Sequence, residues 1–171
     1  SKLQADMAIE AGEKLGYTME TYTVSQSSEI QQVVESMVGK IDALYIPTDN
    51  LLASNLPTVS MVANQAKIPT ICGESGMVEN GGLITNGINY FDLGVLTGKQ
   101  AAEILEGADP ATMPIEYCPE DSYTYTVNED TAAEIGIEIP EEFLQDSEEA
   151  ETEASTETAE ETETETASAA E

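Results

Sequence analysis

Apolar and polar positions along the first 145 residues alternate between a helical rhythm and a strand rhythm. Leu3, Met7, Ala8, Ala11 and Leu15 recur at helical spacing, with Gly16 placed to end the helix. Tyr17 to Val24, rich in Tyr and Thr, reads as a strand. Ser27 or Ser28 then starts a helix, and Ser28 with Gln31 fits a capping box. Ile30, Val33, Val34, Met37 and Val38 keep one apolar face until Gly39. Ala43 to Ile46 is a short apolar run stopped by Pro47, which predicts a buried strand. Leu51 to Ala66 is helical, with Pro57 marking either its proper start or a kink. Pro69 to Cys72 is a short strand. Glycines at 73, 76, 81, 82 and 87 make the next stretch loop-like, interrupted by a strand from Leu83 to Ile88. A helix from Leu93 to Glu106 closes at Gly107. Pro114 to Tyr117 and Tyr123 to Val127 read as two strands. Asn128 caps a short helix that Gly136 ends, and Pro140 opens a last turn through Leu144.

This order predicts an α/β fold, a parallel sheet with helices on both faces. The first helix has no strand before it, and the sequence begins at Ser1. Both suggest the carboxyl-terminal part of something larger. From Asp146 to Glu171 the chain is almost only Glu, Thr, Ala and Ser. Such a segment buries too little apolar surface to offset the entropy of ordering, so a disordered acidic tail is expected there.

Charge narrows the function. Five Lys, with no Arg or His, face 34 acids, for a formal charge of −29. Eleven of those acids lie in the tail, so residues 1–145 carry about −18. This balance argues against nucleic acid and anionic membrane surfaces as partners. No apolar run is long enough to span a bilayer. The absence of His removes the commonest general base and the commonest transition-metal ligand. Cys72 and Cys118 are too few for a disulfide framework, and Cys72 is expected as a buried free thiol.

No nucleophile–base motif, dinucleotide fingerprint or phosphate loop is present, and Gly73-Glu74-Ser75-Gly76 lacks both the GxSxG pattern and a His. The carboxylates match no EF-hand loop. Enzymatic activity therefore has little support in the sequence, and no metal or cofactor is expected. What remains is polar and aromatic groups at element ends: Thr48, Asp49 and Asn50; Glu74 and Ser75; Asn89, Tyr90 and Phe91. In open α/β sheets, ligands sit outside the carboxyl ends of the parallel strands. A small zwitterion needs a carboxylate for its ammonium, donors for its carboxylate and an apolar wall, and this set supplies all three. Each member also has a plainer role. Asp49 or Asn50 is placed to cap a helix, as are Asn89 and Asp92. Glu74 can be an exposed loop residue. Tyr90 and Phe91 can be a hydrophobic staple, and Tyr45 core.

The stretches DALYIPTDN, KIPTICGESGMVENGGLITNGINYFDLG, KQAAEILEG and YTVNEDTAAEIGIEIPEEFL, in that order, resemble ABC-transporter substrate-binding proteins of the tryptophan/tyrosine-binding type. The resemblance covers about residues 1–145. It implies the type I periplasmic-binding-protein fold: two α/β lobes of three layers, here incomplete at the amino terminus. Residues 1–72 would belong to the second lobe, and 73–145 would form hinge crossings and the return to the first. It further implies an extracytoplasmic, lipoprotein or periplasmic component that holds an amino acid between its lobes and delivers it to a membrane permease. By position, Asp49 or Glu74 would meet an amino group. Asn50, Ser75 and Asn89 would exchange hydrogen bonds with the ligand, and Tyr90 would give an apolar face. The alternatives are a ligand sensor of the same fold and an enzyme on a Rossmann-like sheet.

Overall fold

The computed structural model describes residues 1–119 and 122–144. The acidic tail expected from Asp146 onward lies outside the described residues. In chain order the elements are α1 (Lys2–Lys14), α2 (Ser27–Met37), β1 (Leu44–Ile46), α3 (Asn50–Ser54), α4 (Leu56–Gln65), β2 (Thr70–Cys72), α5 (Ser75–Glu79), β3 (Ile84–Ile88), α6 (Tyr90–Leu105), β4 (Tyr123–Val127) and α7 (Glu129–Ile135), with a 3₁₀ turn at Glu141–Phe143.

The four strands form one open sheet in the order β1-β2-β3-β4. The first three are parallel, as βα alternation requires. β4 runs antiparallel to β3, with Thr85 opposite Thr126 and Gly87 opposite Thr124. The architecture is therefore the mixed α/β class the rhythm predicts, with one antiparallel edge.

The main core joins Ile30 and Val34 of α2, Ile46 of β1, Leu56, Val59 and Val62 of α4, Cys72 of β2, and Met77 and Val78 of α5. A smaller cluster places Ala132 and Ile135 of α7 against Leu83. The helical stripe at Ile30, Val34 and Met37 is buried as its periodicity predicts. By contrast, α6 buries no residue, and α1 buries only Gly12, against which Met19 lies.

Several local expectations need correction. Tyr17–Val24 is extended but pairs with no strand. Gly16 turns the chain at φ +89°, and Tyr17 N–H bonds back to Gly12 O at 2.9 Å. Only Val24 of this segment then reaches the main core. Pro114–Tyr117 is likewise unpaired, with Ile115 and Tyr117 exposed. The capping box of α2 is formed by Gln26 and Glu29 rather than Ser28 and Gln31: the Glu29 carboxylate accepts from the Ser25 and Gln26 N–H groups, and Gln31 instead donates to Glu35. The helix read from Leu51 to Ala66 is two helices. They break at Asn55, whose side chain donates to Leu51 O at 2.8 Å, and Pro57 occupies the first turn of α4, where a missing N–H is tolerated. The Gly-rich stretch after β2 contains a helix, α5, anchored by the buried Met77 and Val78.

Candidate ligand-binding site

Each parallel strand ends in one or a few polar residues and then a helix. After β1 come Pro47, Thr48 and Asp49, then α3; after β2 come Gly73 and Glu74, then α5; after β3 comes Asn89, then α6. The candidate residues Thr48, Asp49, Asn50, Glu74, Ser75, Asn89 and Tyr90 thus stand along one edge of the sheet, just beyond the ends of three adjacent strands.

Hydrogen bonds tie these ends together. Thr48 Oγ1 donates to Gly73 O at 3.0 Å, linking the ends of β1 and β2. Gln4 of α1 clamps the same residue: its Oε1 accepts from Thr48 N at 2.8 Å, and its Nε2 donates to Thr48 Oγ1 at 3.3 Å. Asp49 Oδ1 accepts from Leu51 N at 2.9 Å and Leu52 N at 3.2 Å, so Asp49 caps α3. The Leu52 N–H foremost, with help from Ser1 and the Leu51 N–H, holds the Asp49 carboxyl below its ordinary range. Asn89 Oδ1 accepts from Phe91 N at 2.9 Å and Asp92 N at 3.4 Å, capping α6; Asp92 sits in the first turn instead. Burial foremost, then the neighbouring Glu74 carboxylate, pushes the Tyr90 phenol up. Asn50 is exposed at the start of α3.

Beside this edge a groove of about 640 Å³ runs over one face of β3 and β4. That size suits a small metabolite. Ser75, Asn89 and Tyr90 line it; Thr48, Asp49, Asn50 and Glu74 do not. Its floor includes Thr85, Gly87, Thr124 and Thr126, and its rim includes Phe91. Tyr90 and Phe91 are 50% and 61% exposed. The floor was missed because β4 reads as a strand without revealing which neighbour it joins. The alternation of Thr with Tyr at 123–127 was the available signal. The groove carries the carboxylates Glu79, Glu129 and Asp130 and no Lys. A second depression, of about 510 Å³, lies among Pro57, Ser60, Asn64, Asn80 and Glu134. Among the described residues, no group of three or more His, Cys, Asp or Glu is placed to hold a metal ion.

A mostly parallel open sheet with polar strand ends and an adjoining groove is the architecture of an open-sheet α/β lobe. The family model for ABC transporter substrate binding proteins matches residues 1–151, and the chain belongs to that family. A tyrosine-binding protein of Clostridioides difficile is 44% identical over 131 residues, covering 77% of this chain and 37% of that protein. A ligand-free, open substrate binding protein with adhesive properties from Clostridium difficile matches with 44% identity and TM-score 0.65, over 82% of this chain and 47% of the other. An ABC domain from Streptococcus pneumonia in complex with L-Trp matches with 38% identity and TM-score 0.77, over 85% and 48%. The chain thus spans less than half the length of these relatives. The family is one of substrate binding proteins.

Proposed function

We propose that this chain supplies part of the ligand cleft of an extracytoplasmic ABC importer component, and that the cargo is an amino acid with an aromatic side chain. The observation that carries this reading is the union of polar strand ends with a groove whose rim exposes Tyr90 and Phe91. Exposed aromatic faces beside polar groups suit a ligand that is apolar at one end and charged at the other. The relatives give further support, one named tyrosine-binding and one solved with L-Trp. In this reading residues 1–72 belong to the second lobe and 73–145 make the hinge crossings and the return to the first. The lobes close on the ligand and present it to a membrane permease driven by an ATPase, with a lipid anchor or the periplasm keeping the protein outside the cytoplasm. No described helix is long and apolar enough to cross a membrane.

The test is a thermal-shift panel of the twenty amino acids on the intact protein that carries these residues. A ligand at about a hundred times its dissociation constant stabilises the native state by about 2.7 kcal/mol, a shift of several degrees. A response confined to tryptophan, tyrosine and phenylalanine is the expected outcome. No response to any amino acid would remove this ligand class.

A further inference from the structure

We propose that the groove over β3 and β4 receives the ammonium end of the ligand, with the Thr85 hydroxyl as its anchor. The proposal rests on the amino-acid reading above and adds an orientation to it. Thr85 is 1% exposed, and its Oγ1 has no hydrogen-bond partner among the described residues. Buried hydroxyls are nearly always paired, so an orphan on the floor of a groove points to a group that arrives from outside.

The sheet register explains how the hydroxyl comes to lie beneath the groove. Thr85 and Gly87 lie two residues apart on β3 and so face the same side, opposite Thr126 and Thr124 of β4. At Gly87 a Cβ would stand 3.6 Å from Thr85 Oγ1. Glycine adds no side chain over the hydroxyl, and both residues line the groove.

The charge of the walls selects the end of the zwitterion. Glu79 at the end of α5 and Glu129 and Asp130 in the first turn of α7 line the groove, and none of the five Lys does. A carboxylate entering here meets only like charge. An ammonium brings three N–H donors to a floor hydroxyl with free lone pairs and to carboxylates that only accept.

The experiment is isothermal titration of the intact protein with L-tyrosine and L-tryptophan, with their amines tyramine and tryptamine, and with the deaminated acids 3-(4-hydroxyphenyl)propionate and indole-3-propionate. The amines are expected within about tenfold of the parent amino acids, and the acids more than about a hundredfold weaker. Thr85→Val should weaken parents and amines at least about tenfold while leaving the unliganded melting temperature unchanged or raised, because it removes an orphaned polar atom. Thr85→Ser should bind like the original. A structural role alone would not separate affinity from stability in this way. Binding of the acids with loss of the amines, or a Thr85→Val variant that binds normally, overturns the orientation and leaves the amino-acid reading intact. Failure of every parent and every amine removes both.

Discussion

Gly73→Ala should disrupt the joint between the first two strand ends. Gly73 follows β2, and its position for a Cβ falls on the Thr48 amide nitrogen, 2.8 Å from Thr48 Oγ1 and 2.9 Å from the Pro47 carbonyl carbon. Two of these three neighbours are backbone atoms, so no rotamer change relieves the clash. Forcing a methyl group into such a site costs about 1–3 kcal/mol. The displacement also breaks the 3.0 Å bond from Thr48 Oγ1 to Gly73 O, worth about 1 kcal/mol. The total is about 2–4 kcal/mol, a fall in melting temperature of roughly 6–12 °C in a domain of this size. Urea unfolding of the intact protein, followed by circular dichroism, measures it. The double variant Thr48→Ala/Gly73→Ala supplies the control. Thr48→Ala alone should cost only about 1 kcal/mol, the hydrogen bond, and should not rescue Gly73→Ala, because the Thr48 nitrogen remains in place. A Gly73→Ala protein within about 0.5 kcal/mol of the original would show that the strand ends yield without strain and would refute the reasoning.

Three further outcomes follow from single residues. The Asp49 carboxyl is held below its unfolded value, so its contribution is complete above that unfolded value and disappears as pH falls through the folded one. Melting temperature between about pH 5 and 2.5 should therefore fall less for Asp49→Asn, which still caps α3, than for the original; parallel curves would contradict this. Lys67 follows α4 at φ +57°, a left-handed conformation that favours glycine, so Lys67→Gly should stabilise by about 0.5–1 kcal/mol in urea unfolding; a loss of stability would contradict it. Burial pushes the Cys72 thiol up to about 11, whereas Cys118 is only half-buried. Titration of the native protein with a disulfide reagent at pH 8 should show one fast thiol and one slow one, and two equally fast thiols would refute that burial.

The helices and the parallel strands were legible because their apolar spacing survives packing. The Ile30–Val34–Met37 stripe and the Ala43–Ile46 run needed no tertiary information to be recognised. Strand pairing was less legible. Tyr17–Val24 is rich in Tyr and Thr, as Tyr123–Val127 is, yet only the latter finds an edge, beside β3. β propensity describes a fit to a half-buried pleated surface, and a sequence does not say whether that surface exists. Helix α5 was hidden because Gly73, Gly76, Gly81 and Gly82 outweigh the two residues, Met77 and Val78, that hold it in the core.

The site shows the same division. Strand-end residues could be read from the punctuation Pro47-Thr48-Asp49-Asn50, and the capping reading of Asp49 and Asn89 holds. Their carboxylate and amide oxygens turn inward to cap α3 and α6. The groove floor at Thr85, Gly87, Thr124 and Thr126 depends on an antiparallel register between segments about forty positions apart in sequence, which local patterns do not encode.

The central claim is that the ligand sits at the strand ends and over the β3–β4 face. Its most direct measurement is amide hydrogen exchange of the intact protein, with and without saturating L-tyrosine or L-tryptophan. The account predicts slowed exchange at residues 73–76, 85–91 and 123–127. Protection confined to the depression around Asn64, Asn80 and Glu134, or none anywhere in residues 1–144, would contradict it.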